Sequence, residues 1–110
     1  MGWKLELDAL RREAIAATMT PEQALKRAGT PHGLCERTVY GWLVILTRFE
    51  NEKGELRWQM SVSTKAGTEE NLQRILTYLG IPKTADLTPG GIKVDGKVSG
   101  VRHFLWAADS

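Results

Sequence analysis

Residues 39–63 read VYGWLVILTRFENEKGELRWQMSVS, two apolar runs joined by a polar turn. In the second run apolar and polar residues alternate, with Leu56, Trp58, Met60 and Val62 set between Arg57, Gln59, Ser61 and Ser63. This period of two is typical of a β-strand with one buried face. Asn51 and Gly54 flank Glu52 and Lys53, which favours a type I turn closed by a left-handed glycine. The stretch therefore predicts a β-hairpin.

The first strand of this hairpin is apolar on both of its faces. We expect one face to join the apolar side chains of residues 56–62, and it carries Leu43, Ile45, Thr47 and Phe49. Val44 and Leu46 then lie on the other face. A strand that is apolar on both sides is typical of the interior of a sheet that is covered twice.

Two segments before the hairpin have helical features. An apolar stripe indicates a helix over about residues 3–18, and its members are Trp3, Leu7, Leu10, Ala14 and Ala17,. The alternative is a short strand at residues 3–7, with Asp8 capping a shorter helix behind it. Thr20 and Pro21 begin a second helix, Gln23 is placed to complete a capping box, and Gly29 ends the helix,.

A third helix and a second hairpin follow residue 63. Thr68 is the expected N-cap, and the helix has one apolar face of Leu72, Ile75, Leu76 and Leu79,. Gly80 should end it, with Ile81 folding back on Leu76 and Pro82 preventing continuation. Asp95 and Gly96 form the signature of a type I′ turn between strands at residues 92–94 and 97–107,.

The predicted order of elements is α-α-β-β-α-β-β. We therefore expect residues 1–110 to form a single α+β domain in which an antiparallel sheet packs against the helices. The chain has 110 residues, of which 42% are hydrophobic, and this is enough for a substantial core,.

The charge and the cysteine content narrow the functional classes. Lys and Arg number 15 and Asp and Glu number 13, which gives a net charge of +2. Proteins that bind nucleic acid through a basic surface usually have a larger positive charge. Cys35 is the only cysteine, which excludes an internal disulfide,. No apolar run approaches the length of a membrane span. We expect a protein of the cytoplasm without membrane contact.

The sequence does not complete a phosphate-binding loop, a metal site or a nucleophile with its base. Residues 91–98 approach the phosphate-binding loop, but Val98 replaces the required hydroxyl and a strand is predicted where a helix is needed,. His32, Cys35 and His103 have no spacing that defines a metal site or a nucleophile with its base. We therefore expect no catalytic residues, no metal, no cofactor and no enzymatic activity.

Residues 33–43, GLCERTVYGWL, resemble the turn and the start of the recognition helix in helix-turn-helix DNA-binding proteins. The positions that fit are Gly33, Leu34, Arg37, Thr38, Val39, Tyr40, Trp42 and Leu43. The resemblance implies that Glu36, Arg37 and Tyr40 would face the major groove, within a helix-turn-helix or winged-helix regulator. It requires a helix over residues 36–46, where the hairpin interpretation requires a strand.

The leading hypothesis is a small non-catalytic regulator or inhibitor, of the kind that phages also encode, which docks on another macromolecule. The partner would be a protein, or a second copy of the chain that pairs through a sheet edge. Its docking patch would consist of Trp42, Val44 and Leu46, with Arg48 at the rim,. DNA binding is the alternative, and the conformation of residues 36–46 separates the two.

Overall fold

The computed structural model describes residues 2–27, 35–64, 67–87, 92–94, 97–99 and 102–108. Its helices are α1 (Trp3–Ala16), α2 (Pro21–Arg27) and α3 (Glu69–Leu79), with a 3-10 turn at Lys83–Ala85. Its strands are β1 (Glu36–Val39), β2 (Trp42–Glu50), β3 (Leu56–Thr64), β4 (Ile92–Val94), β5 (Lys97–Ser99) and β6 (Arg102–Ala107). An antiparallel sheet has the order β1-β2-β3-β6, and β4 pairs with β5 separately. The predicted α+β class is confirmed.

The strands differ from the prediction at two places. The single strand expected over residues 97–107 is wrong, because β5 and β6 belong to different sheets. The sequence interpretation also missed β1, which turns into β2 through Tyr40 and Gly41. Both turn residues have positive φ, 51° and 80°, as a two-residue type I′ hairpin requires,. The predicted turn at Asp95 and Gly96 lies outside the described residues.

The first two helices follow their sequence signals. The stripe of α1 is confirmed at Leu7, Leu10 and Ala14, which are buried, and the alternative of a short strand at residues 3–7 is wrong. The helix ends at Ala16, so Ala17 follows it and is exposed. The capping box of α2 is present in both directions. The Thr20 N–H donates to Gln23 Oε1 at 3.0 Å, and the Gln23 N–H donates to Thr20 Oγ1 at 3.3 Å,. The end predicted at Gly29 lies outside the described ranges.

The third helix confirms both predicted caps. Thr68 Oγ1 accepts a hydrogen bond from the Asn71 N–H at 3.2 Å. Gly80 has a left-handed φ of 69°, and the Ile81 N–H donates to the Leu76 carbonyl at 3.1 Å,. None of the helices in the described ranges has the length and apolar character needed to cross a bilayer,.

The inner face of the sheet is built from rows of side chains that cross β2, β3 and β6. Two successive rows are Val44–Val62–Arg102 and Leu46–Met60–Phe104, and all six side chains are buried. Helices α1 and α3 cover these rows with their own apolar faces. The two helices also contact each other, because the Tyr78 hydroxyl of α3 donates to the Asp8 carboxylate of α1 at 2.8 Å.

The expected pairing of faces in the central hairpin is wrong. Leu43, Ile45, Thr47 and Phe49 lie opposite Ser63, Ser61, Gln59 and Arg57 on the outer face, while Val44 and Leu46 share the inner face with Val62 and Met60. The cause is the connection, which has five residues, 51–55, between the last pair Glu50 and Leu56. A change of one residue in the register moves every side chain of a strand to the other face.

Candidate functional site

The docking patch predicted from the sequence is not on the surface. Trp42, Val44 and Leu46 are 4%, 0% and 1% exposed, so the prediction of an exposed apolar patch is wrong. The Trp42 indole N–H donates to the carbonyl of Thr68 at 2.9 Å, which fixes the ring beneath the start of α3. Arg48 alone among the four predicted residues remains near an accessible site.

The residues assigned to DNA contact lie in strand and turn conformations. Glu36 and Arg37 belong to β1, and Tyr40 is in the turn that follows. The Arg37 guanidinium binds the carboxylates of Glu6, at 3.3 Å, and Glu13 on α1. A recognition helix over residues 36–46 is therefore not formed, and Gly33 and Leu34 lie outside the described residues. The cause is the type I′ turn, which commits the residues before and after it to antiparallel strands.

The thiol and imidazole considered in the sequence do not come together. Cys35 precedes β1, whereas His103 is on β6 at the opposite side of the sheet, three strand spacings or roughly 14 Å away,. Burial and the nearby Glu13 raise the pKa of the Cys35 thiol, so it stays protonated and weakly nucleophilic at neutral pH,. His32 lies outside the described ranges. The described residues contain no group of three or more potential ligands placed to hold a metal ion.

The described residues of the segment that approaches a phosphate-binding loop, 92–94, 97 and 98, lie in strands. Strands β4 and β5 pair antiparallel with Ile92 opposite Ser99. A phosphate-binding loop is followed by a helix whose N-terminal amides meet the phosphate, and here β5 occupies that position.

One side-chain pair was not foreseen from the sequence. Ser61 Oγ and His103 Nδ1 are 2.9 Å apart on the outer face of the sheet. The two residues are directly opposite each other in the β3–β6 register, so the pair is positioned by the ladder itself. We interpret it as a cross-strand hydrogen bond that stabilises the pairing of the two strands.

An open cleft lies at the end of the sheet nearest the β2–β3 turn. Its volume is about 750 Å³, within the range of natural ligand-binding pockets,. Trp58 and Trp106 form its floor, and its lining also includes Ile15 of α1, Leu79 of α3 and Leu105 of β6. We call this site the end cleft.

Trp58 and Trp106 belong to the third row of the inner face, and this row continues to Arg48, which lies outside the lining of the end cleft. The two indole rings are stacked, with centroids 6.3 Å apart and planes 15° from parallel. The Arg48 guanidinium lies 5.8 Å from the centroid of the Trp58 ring and donates to Thr18 Oγ1 at 3.0 Å. Such a cation above an indole ring is stabilising, and the hydrogen bond holds it in place. Contacts within the chain therefore hold the three side chains of this row together.

Within the described ranges, the charged residues that line the end cleft are Arg11 and Arg57. Arg57 is 3.6 Å from Glu55, whose own side chain lies outside the cleft lining. Arg11 forms no ion pair with a carboxylate in the described ranges. The end cleft thus combines an aromatic floor with positive charge at its margin.

The end cleft also reaches the edge of the sheet at β6. The 3-10 turn and the residues after it lie along this edge, where the Leu87 N–H donates to the His103 carbonyl at 2.9 Å. Asp86 and Phe104 form an antiparallel bridge, so the N–H of Leu105 points to the carbonyl of Ala85,. At the other end of β6, the Ala108 N–H donates to the Leu56 carbonyl of β3.

The sequence interpretation did not identify the end cleft as a site. It assigned Trp58 to the core and left the burial of Trp106 open. Both rings are half-buried, because the helices cover the first two rows of the inner face more completely than the third. The alternation of residues 56–62 indicates which side chains share a face, but not how far the helices extend over that face.

Comparison with known protein families, curated proteins and solved structures finds no match to this chain.

Proposed function

We propose that this protein is a small non-catalytic regulator that acts in the cytoplasm by docking onto another protein, with the end cleft as its contact surface. The observation that carries the proposal is the stacked pair of Trp58 and Trp106, which the helices leave accessible at the end of the sheet. Accessible tryptophan rings in a preformed depression are the usual centres of binding energy in protein interfaces.

The composition of the end cleft agrees with that role. Tryptophan and arginine are enriched in protein interfaces, and carboxylates and lysine are depleted. The lining contains Trp58, Trp106, Arg11 and Arg57, and no acidic residue or lysine is among the described residues that form it. Ile15, which is 47% exposed, adds an apolar side chain at the wall of the cleft. A partner that covered these side chains would remove apolar surface from water and gain free energy.

A non-catalytic role in the cytoplasm is supported by the chemistry of the remaining residues. Cys35 is a buried thiol at a distance from His103, and the single cysteine provides no disulfide. DNA binding would need a recognition helix at residues 36–46, where the chain has β1 and β2. No observation in the described residues favours that alternative over docking on a protein.

A selection from a displayed library of random peptides tests the proposal. The bait is the full chain, and each recovered peptide is measured against the variants Arg11→Glu and Arg12→Glu. Arg11 lines the end cleft, whereas its neighbour Arg12 is exposed outside the lining. Both variants change the net charge by the same amount, so Arg12→Glu controls for long-range electrostatics.

We expect recovered peptides to lose about tenfold or more in affinity for Arg11→Glu and to keep their affinity for Arg12→Glu within about twofold. Failure to recover any peptide from a diverse library would contradict the proposal. Peptides that bind both variants as tightly as the wild-type protein would also contradict it, because their site would lie elsewhere.

A further inference from the structure

We infer that the rings of Trp3, Tyr40 and Tyr78 form a binding site for an alkylated ammonium group, the cation of choline and of methylated lysine. We call these three rings the aromatic cluster. It joins α1, the β1–β2 turn and α3. None of the three residues is among the described residues that line the end cleft. The inference therefore stands independently of the proposed docking function.

The rings of the aromatic cluster meet at steep angles around Trp3. The centroid of the Trp3 ring lies 5.5 Å from that of Tyr40 and 5.4 Å from that of Tyr78, with interplanar angles of 50° and 69°. The faces of aromatic rings carry partial negative charge, which attracts cations. Several rings inclined to one another are the arrangement with which proteins recognise quaternary ammonium groups. The aromatic cluster has this arrangement.

The chain's own Lys4 shows where a cation lies at the aromatic cluster. Lys4 Nζ is 5.6 Å from the centroid of the Trp3 ring and 5.7 Å from that of Tyr78, within the range of a cation–π interaction,. Lys4 and Asp8 have the spacing of a helical ion pair on α1, but the described structure contains no ion pair between them,. The exposed Lys4 ammonium is therefore a stand-in for a ligand that can displace it.

The chemistry of the aromatic cluster favours an alkylated ammonium over Lys4 itself. A primary ammonium is strongly hydrated, and covering it with rings removes part of that hydration. Alkyl groups replace the N–H donors, keep the positive charge and add apolar surface that the rings can cover. The Asp8 carboxylate accepts a hydrogen bond from the Tyr78 hydroxyl at 2.8 Å, which places a negative charge beside the rings. An anionic ligand would be repelled by that charge.

The backbone of Tyr40 gives a second, independent indication of a binding role. Tyr40 has a φ of 51°, in the left-handed region that a type I′ turn requires at this position,. Asparagine, aspartate and glycine adopt this conformation readily, whereas it is strained for a bulky aromatic residue. Tyr40 is also 41% exposed, so its burial compensates little for the strain,. Strain of this kind is concentrated at ligand-binding sites.

The decisive variant is Lys4→Gln, which removes the competing ammonium, with Lys53→Gln as its matched control. Lys53 is exposed in the β2–β3 connection, and both changes remove one positive charge. The probes are choline and its uncharged tert-butyl analogue, which has nearly the same shape. Binding is measured at constant ionic strength from the nuclear magnetic resonance signal of the Trp3 indole N–H, with the buried Trp42 as the internal reference.

We expect Lys4→Gln to bind choline about threefold or more tightly than the wild-type protein, because Lys4 no longer occupies the site for part of the time. Lys53→Gln should stay within about 1.5-fold of the wild-type protein, since it lies in the connection at the other end of β2,. In Lys4→Gln, choline should bind about threefold or more tightly than its uncharged analogue, as a cation–π interaction at an exposed site predicts. Equal affinity for the two probes, or equal effects of the two variants, would overturn the inference.

Tyr40→Asn in the Lys4→Gln background separates binding from a purely structural role of the ring. Asparagine fits the left-handed backbone, so the midpoint of urea unfolding should stay unchanged or rise, while choline binding should weaken about threefold or more. A lower midpoint with unchanged choline binding would overturn the inference. A peptide with trimethylated lysine identifies the source of the cation. Tighter binding of this peptide than of choline would support a protein partner, and the reverse order would support a small solute.

Discussion

Trp58 and Trp106 face each other across the β3–β6 pair with their rings stacked 6.3 Å apart, at the point where the helices no longer cover the sheet. The equivalent positions one row inward, Met60 and Phe104, are completely buried. The stacked pair therefore has two roles. It extends the inner face of the sheet, and it presents aromatic surface to the end cleft.

The two tryptophans should be energetically coupled. Offset-stacked aromatic pairs contribute about 0.5–1.5 kcal/mol beyond the burial of their area. A double-mutant cycle of Trp58→Ala and Trp106→Ala in urea unfolding should give a coupling free energy of about that size. A coupling within about 0.3 kcal/mol of zero would show that the rings act independently.

The register of the central hairpin predicts unequal effects at adjacent residues. Met60 is 0% exposed on the inner face, and Met60→Ala should lower the free energy of unfolding by about 2–5 kcal/mol,. Gln59 is exposed on the outer face, and Gln59→Ala should change it by no more than about 0.5 kcal/mol,. Equal losses in urea melts of the two variants would mean that the register is wrong.

The ion pairs of Arg102 should differ in strength because their carboxylates differ in exposure. The Arg102 side chain is 10% exposed and binds Asp86, which is 17% exposed, and Glu69, which is 63% exposed. Asp86→Ala leaves a buried guanidinium without its sheltered partner and should lower the free energy of unfolding by about 2–4 kcal/mol.

Glu69→Ala is the matched variant and should cost less than about 1 kcal/mol, since exposed ion pairs are weak. Thermal or urea unfolding of both variants measures the difference. A larger loss for Glu69→Ala than for Asp86→Ala would contradict the assignment of the stronger pair.

The contact between α1 and α3 should respond to alkaline pH. The Tyr78 hydroxyl donates to the Asp8 carboxylate, which raises the pKa of Tyr78 above its usual range. The proton is then held more tightly in the folded protein than in the unfolded chain. The stabilising contribution is complete below the unfolded pKa of about 10 and is lost as the pH rises through the higher folded value.

Tyr78→Phe removes this titration and leaves the other ionisable groups in place. The difference in the free energy of unfolding between the wild-type protein and Tyr78→Phe should be constant from about pH 7 to 9 and should shrink above about pH 10. A difference that stays constant or grows at high pH would contradict the hydrogen bond to a carboxylate.

Local sequence signals predicted those parts of the fold that depend on neighbouring residues. The caps of α3 at Thr68 and Gly80 and the capping box at Thr20 and Gln23 were predicted correctly, because their hydrogen bonds join residues three to five apart. The positive φ of Gly54 in the β2–β3 turn is of the same kind.

Features that depend on register or on packing between distant segments were not accessible in this way. One additional residue in the β2–β3 connection reversed the expected faces of Val44 and Leu46, although the hairpin itself was predicted correctly. Apolar residues on both faces of β2 gave no signal to distinguish the two registers. The end cleft could not be predicted from local sequence either, because it forms where the ends of α1, α3, β3 and β6 meet.

The nuclear magnetic resonance signals of the indole N–H groups of Trp58 and Trp106 test most directly whether the end cleft is a docking site. Both side chains line the cleft, whereas Trp42 is buried beneath α3. Saturation with a peptide from the selection should shift the signals of Trp58 and Trp106 and leave the signal of Trp42 in place. Signals of Trp58 and Trp106 that stay unchanged under saturating peptide would contradict the account.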